Sequence, residues 1–80
     1  MSPLMATARA AAIQVLRRRG GLTWPELRAA TKRLAGLSAY SVERALDQLH
    51  DEGRLDVTLR AVGAGCVCPV VYLAPARRTA

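Results

Sequence analysis

The chain has 80 residues, of which 51% are hydrophobic, and its formal net charge is +6. These values exclude an intrinsically disordered protein, because such chains have few hydrophobic residues, and no apolar run approaches the roughly 18–20 residues of a membrane span. We expect no secretory signal in the first residues, since Arg17, Arg18 and Arg19 follow the apolar part of this segment instead of preceding it. We therefore expect one small soluble domain in the cytoplasm, comprising residues 1–76, with a basic tail at 77–80.

A first helix is predicted from the N-terminus to a pair of glycines. Ser2 can cap it, and Pro3 suits the first helical position, where a missing N–H costs nothing. The alanine-rich sequence that follows favours helix strongly, and Gly20 and Gly21 end it. Its narrow apolar face is predicted to consist of Met5, Ala12, Ile13 and Leu16.

A second helix is predicted at roughly residues 24–35. Thr23 and Glu26 have the T-x-x-E spacing of a capping box, in which each residue satisfies the other's backbone N–H. Pro25 is tolerated in a first turn, and Gly36 is suited to a left-handed stop. The residues predicted to point inward are Leu27, Ala30, Thr31 and Leu34.

A third helix is predicted within residues 37–53, from the cap Ser38 to the left-handed stop Gly53. An apolar stripe repeats at i, i+3, i+4 and i+7, the period of a half-buried helix. The stripe consists of Val42, Ala45, Leu46 and Leu49. Two short helices joined by a glycine-containing turn are typical of a helix-turn-helix motif.

After Gly53 the apolar period changes from 3.6 to 2, which predicts a strand with Leu55, Val57 and Leu59 on its buried face. A turn is expected at 62–65 and a return strand at 66–73. Pro69 cannot donate to a strand ladder, so we expect it at a sheet edge or a bulge.

The residue types favour binding over chemistry. Eleven of the twelve basic residues are arginine, the side chain that pairs bidentately with phosphate and guanine. Residues 1–36 carry a net charge of +6, residues 37–56 carry −3, and residues 57–80 carry +3. Cys66 and Cys68 are too few for a structural zinc site, and the simplest interpretation is that they are packed thiols, with redox or iron sensing as the weaker alternative. No nucleophile, base and orienting group converge, so we expect no enzyme, metal or cofactor.

The order of helix, brief strand, helix, turn, helix and hairpin resembles the winged helix-turn-helix family. The residues that carry the resemblance are GLTWPELRAAT, LAGLS and SVERALDQLHDEGRLDV, with Gly63 and Gly65 at the wing tip. The resemblance implies an α+β winged helix, that is, a three-helix bundle with a helix-turn-helix followed by a C-terminal β-hairpin wing. It also implies a small sequence-specific double-stranded DNA-binding protein, a transcriptional regulator, whose third helix enters the major groove.

Site residues carried over from this resemblance fall into two groups. Base contacts are expected from Tyr40, Ser41, Arg44 and Gln48, with Arg44 the best candidate for a guanine edge, and Ser38 is expected to bind DNA beside them. Phosphate contacts are expected from Thr23, Arg28, Lys32 and Arg60. A homodimer is expected, because one small helix contacts few base pairs.

An alternative function is a winged-helix module for protein–protein interaction. The third helix carries Asp47 and Asp51 on the same face as Arg44, and acids repel DNA. Arg44 and Asp47 could form an intrahelical pair, and the acidic face could bind a basic protein partner. The wing tip, VGAG, also lacks a basic residue.

Overall fold

The computed structural model describes residues 2–75. Three helices precede two strands along the chain. They are α1 (Pro3–Arg18), α2 (Trp24–Ala35), α3 (Ala39–Asp51), β1 (Leu55–Gly63) and β2 (Cys66–Leu73). The predicted tail at 77–80 lies outside the described residues.

The helix starts follow the predicted caps. The side chain of Ser2 accepts from the N–H of Met5, and that of Ser38 accepts from the N–H of Ser41. Thr23 and Glu26 form the complete capping box. Gly36 ends α2 in the left-handed conformation, with φ at +67°. These local hydrogen bonds satisfy N–H groups that a helix leaves unpaired in its first turn, so the three helix starts are confirmed.

The hydrophobic core lies between the three helices and the base of the hairpin. The predicted stripe of α3 is confirmed, because Val42, Ala45, Leu46 and Leu49 are each 0% exposed. The prediction for α1 was partly wrong: Met5 and Ile13 are only half-buried. The buried face of α1 consists of Ala8, Ala11, Ala12, Val15 and Leu16. Alanines dominate it because a small side chain lets neighbouring helices approach closely, and an alanine-rich sequence shows little periodic contrast.

In α2 the inward prediction is confirmed for Leu27 and Thr31, both 0% exposed, and Ala30 is half-buried. It is wrong for Leu34, which is 50% exposed. Leu34 lies in the last turn of α2, after the residues of this helix that pack in or against the core cluster, which are Trp24, Leu27 and Ala30. The apolar period of α2 therefore continues into a turn of the helix that does not pack in the core.

The two strands form an antiparallel hairpin with Leu55 opposite Leu73 and Leu59 opposite Pro69. The register shifts between Ala61 and Gly63, so β1 continues to Gly63 and the turn is shorter than the predicted 62–65. Leu22 adds a single bridge to β2 at Val71, which confirms the brief strand.

Pro69 lies at a sheet edge, one of the two places predicted for it. The N–H of Val71 donates to Leu22 O at 2.7 Å, away from β1. Because strand residues two apart point their N–H the same way, the nitrogen of Pro69 also points away from β1. No ladder hydrogen bond is lost, and the bulge occurs elsewhere.

The prediction that one face of β1 is buried is wrong for the residues after Leu55. Leu55 is 5% exposed, whereas Val57 is 46% and Leu59 is 70% exposed. The hairpin extends beyond the helical bundle, so only its base can contact the core. The α+β prediction is nevertheless confirmed, since three helices followed by an antiparallel hairpin make a winged-helix arrangement.

Candidate nucleic-acid interface

The first half of α3 presents a polar surface to solvent. Tyr40 is 71% exposed, Arg44 is exposed and Ser41 is half-buried. The hydroxyls of Ser38 and Ser41 lie 3.2 Å apart at the helix start. Because the helix dipole places partial positive charge there, these hydroxyls and the first-turn N–H groups are suited to an anion.

Arg44 contacts Tyr40 one turn earlier in α3. The guanidinium carbon lies 5.9 Å from the ring centroid of Tyr40, and Nη1 lies 3.4 Å from its hydroxyl. The predicted alternative pair of Arg44 with Asp47 does not occur among the described ion pairs. Contact with an aromatic ring orients a guanidinium without neutralising its charge. Among the described residues only Nη1 donates within the protein, to the hydroxyl of Tyr40, so the other donors of Arg44 remain available to a ligand.

Arg28, a predicted phosphate contact, lies beside a carboxylate of α3. Its Nη1 is 3.3 Å from Oε2 of Glu43, and the other oxygen of that carboxylate accepts from Trp24 Nε1 at 2.9 Å. Glu43 therefore joins α2 to α3. A phosphate would have to compete with Glu43 for Arg28.

Gln48, a predicted base contact, is directed toward α1 instead. Its Oε1 accepts from Nη1 of Arg9 at 3.3 Å. The same guanidinium binds both carboxylate oxygens of Glu52, at 2.8 and 2.6 Å. Sequence reasoning did not identify Arg9. The available signal was that Arg9 is the only charged side chain in residues 1–16.

The remaining predicted residues stay near the surface. Thr23 belongs to the capping box, which occupies its hydroxyl. Lys32 is exposed and, with Arg33, lines a shallow groove beside Gly36 at the turn before α3. Arg60 is exposed on β1, near enough to Glu26 to help lower the pKa of that carboxyl. The structure therefore places Lys32 beside the turn that precedes α3, and it joins Gln48 to Arg9 and Glu52 in a partly exposed hydrogen-bond network.

The carboxyl groups of Glu26 and Glu52 each have a pKa below the ordinary glutamate value of 4.5. The pKa of Glu26 is lowered chiefly by the backbone N–H of Thr23, which donates to it, and that of Glu52 is lowered chiefly by hydrogen bonds from Arg9. A lowered folded pKa adds stability that is complete above the unfolded pKa and is lost as pH falls through the folded value.

We expect the free energy of unfolding to fall as the pH drops below about 4.5, because these carboxylates must then be protonated. Glu52→Gln is expected to flatten this dependence by removing one titrating group, as measured by urea unfolding at pH 7 and at several lower values. Asp51→Asn is the control, since Asp51 is exposed and has no ion pair among the described contacts. Identical pH dependence in Glu52→Gln and the wild-type protein would contradict the assignment.

Cys66 is exposed and Cys68 is half-buried, and both are free thiols. The prediction that they are packed is therefore wrong for Cys66, because it lies near the hairpin tip and not over the core. In residues 2–75 no group of three or more His, Cys, Asp or Glu side chains is arranged to hold a metal ion. Within the same residues, none of the helices has both the length and the apolar character to cross a membrane.

The fold is similar to one solved structure. The crystal structure of Pex from Synechococcus sp. (strain PCC 7942) matches with a TM-score of 0.58 and 25% sequence identity. The match covers 99% of this chain and 71% of the Pex chain. No family model matches the chain, and no curated protein matches it. The match to Pex, which extends over almost the whole chain, agrees with the arrangement of three helices and a hairpin described above.

Proposed function

We propose that this protein binds double-stranded DNA and regulates transcription, with the first half of α3 in the major groove. The observation that carries the proposal is the exposed Tyr40–Arg44 pair, in which the guanidinium is oriented by the ring and has no described acidic partner. Arginine donates two parallel hydrogen bonds to the O6 and N7 of guanine. An arginine held at this position on an exposed helix is suited to that contact.

Charge around α3 supports the same orientation. Lys32 and Arg33 flank the turn that leads into α3, and the Ser38 cap lies at its positive end. These groups can hold phosphates on either side of a groove-bound helix. The acidic side of α3 is smaller than its sequence indicates, because Glu43 and Glu52 are occupied by Arg28 and Arg9.

The test is a comparison of two duplexes. A high-affinity duplex is first selected from a random pool, and binding to it and to a random duplex is then measured by fluorescence anisotropy. Arg44→Ala is expected to weaken binding to the selected duplex by about 1–3 kcal/mol, or roughly 5- to 150-fold, while binding to the random duplex changes little. Loss of one base contact should affect only the sequence that offers it.

Arg17→Ala is the matched control, because Arg17 is exposed in the last turn of α1 and lines a groove with Glu52 and Gly53, at the end of α3 opposite to Tyr40. Lys32→Ala should instead weaken binding to both duplexes equally and reduce the salt dependence by about one phosphate contact. The proposal is wrong if no duplex binds at about 50 mM salt, where even nonspecific contacts are measurable. Equal effects of Arg44→Ala and Arg17→Ala would exclude Arg44 as a base contact.

The protein-interaction alternative depends on the acids that remain free. Asp47 and Asp51 are the exposed carboxylates on α3 that form no described ion pair. Two carboxylates provide a small surface for a basic partner. This alternative becomes the better proposal if the duplex experiment shows no binding.

A further inference from the structure

One edge of the hairpin is open. β1 pairs with β2 along one side, and no other strand among residues 2–75 pairs with its second side. Every residue of β1 after Leu55 is exposed. A strand edge of this kind presents unpaired N–H and C=O groups that can accept another strand.

The opposite edge of the hairpin is blocked. Gly21 and Leu22 occupy the outer side of β2 at Val71. The N–H of Val71 donates to Leu22 O at 2.7 Å, and the N–H of Gly21 donates to Val71 O at 3.0 Å. Farther along β2, the nitrogen of Pro69 points outward and cannot donate. Proline on an edge strand prevents the addition of another strand. Strand addition is therefore possible at β1 and disfavoured at β2.

The chemistry of the hairpin suits a protein strand better than a phosphate backbone. Among residues 2–75, eight large hydrophobic side chains are exposed, and five of them lie in the hairpin: Val57, Leu59, Val62, Val67 and Tyr72. Between residues 55 and 75 the only charged side chains are Asp56 and Arg60, so this segment has no net charge, whereas the whole chain carries +6. Two copies of the chain can approach here without mutual charge repulsion.

The two charges of β1 also complement each other across a twofold axis. Asp56 and Arg60 are four residues apart, so they share one face of the strand with Thr58 midway between them. Antiparallel pairing of β1 with β1 of a second copy, centred on Thr58, places Asp56 of each copy opposite Arg60 of the other copy. On the other face the same register places Val57 opposite Leu59.

We propose that this protein forms a symmetric dimer by antiparallel pairing of β1 with β1 of a second copy, in the register centred on Thr58. The result is a continuous four-stranded sheet with two charge pairs on one face and an apolar strip on the other. Cross-strand pairs of both kinds stabilise antiparallel sheets, and an identical patch on both partners is the usual basis of a twofold dimer. Arg60 then binds Asp56 of the second copy instead of DNA phosphate. The proposal is independent of DNA binding.

A charge-swap series, followed by sedimentation equilibrium of the full chain from micromolar to millimolar concentration, tests the register. The wild-type protein is expected to dimerise. Asp56→Arg and Arg60→Asp are each expected to weaken dimerisation about tenfold or more, since each converts both charge pairs into like-charge pairs. The double variant Asp56→Arg/Arg60→Asp is expected to restore the dimer, because both pairs are then attractive again.

Matched controls make the same charge changes away from β1, on exposed helix residues. Asp51→Arg and Arg33→Asp are expected to leave the dimer unchanged, and circular dichroism melting checks that every variant is folded. A wild-type protein that remains monomeric overturns the proposal. A double variant that is no more dimeric than either single variant overturns the proposed register.

A cross-link provides a measurement that does not depend on the charge variants. In a chain carrying Cys66→Ser and Cys68→Ser, Thr58→Cys places a thiol on the twofold axis, directly opposite its own counterpart. Directly paired residues have Cβ atoms about 4.5–5.5 Å apart, close to the separation that a disulfide needs. Mild oxidation should therefore give a covalent dimer. Val62→Cys is the control, because its counterpart lies far along the paired strands, and equal cross-linking of the two variants would overturn the register.

Discussion

Leu46→Ala is expected to destabilise the protein by about 2–5 kcal/mol, because it removes a fully buried side chain and leaves a cavity. Leu46 is 0% exposed and lies in the core cluster with Leu16, Leu27 and Leu49. Native domains are stable by only about 0.05–0.15 kcal/mol per residue. A loss of this size therefore removes a large part of the total stability. The change should be measured by urea unfolding followed by circular dichroism.

Leu34→Ala is the matched control for Leu46→Ala. It removes the same atoms from a side chain that is 50% exposed in the last turn of α2. Surface substitutions of this kind usually change stability by about 0.5 kcal/mol or less. A similar loss of stability in the two variants would contradict the conclusion that Leu46 is part of the core and Leu34 is not.

Gly21→Ala is expected to have the second-largest effect, because two penalties combine at this position. Gly21 has φ at +83°, where a side chain costs about 1–2 kcal/mol. An added Cβ would also lie 2.8 Å from the hydroxyl oxygen of Tyr72 and 3.0 Å from Cζ of its ring. The ring of Tyr72, which is 38% exposed, must move aside and lose its contact with the backbone of Gly21. Thermal unfolding should show a clearly lower melting temperature.

Gly36→Ala separates the two penalties at Gly21. Gly36 also has a positive φ, at +67°, but nothing lies within 4 Å of an added Cβ. The difference in unfolding free energy between the variants therefore reports the displacement of Tyr72. Equal losses would show that the Tyr72 contact contributes nothing to the stability of the hairpin.

The helix boundaries could be predicted because their signals are local. The bonds from Ser2, Thr23 and Ser38 to the first turn of each helix join residues three apart, so the residue types at fixed spacing are sufficient. The apolar stripe of α3 was equally clear, since polar and apolar side chains alternate sharply at the helical period. In α1 the abundance of alanine removed this contrast, and the buried face was only partly identified.

The candidate site could be predicted only in part. Tyr40 and Arg44 interact with each other within one helix, and their exposure followed from the position of the apolar stripe. The ion pairs of Arg28 and Arg9 could not be predicted in the same way. Arg28 pairs with a residue 15 positions away, and Arg9 pairs with one 43 positions away. No period or motif within a single element contains such a pairing.

By itself, the sequence determined where each helix begins, which face of α3 is buried and that a hairpin follows, because each depends on residues close together in the chain. The tertiary structure alone decided which arginines are held by carboxylates and which remain available to a ligand. It also decided that Leu34, Val57 and Leu59 lie outside the core. The physical reason is that burial and ion pairing depend on which elements meet in space, and periodicity within one element does not specify its neighbours.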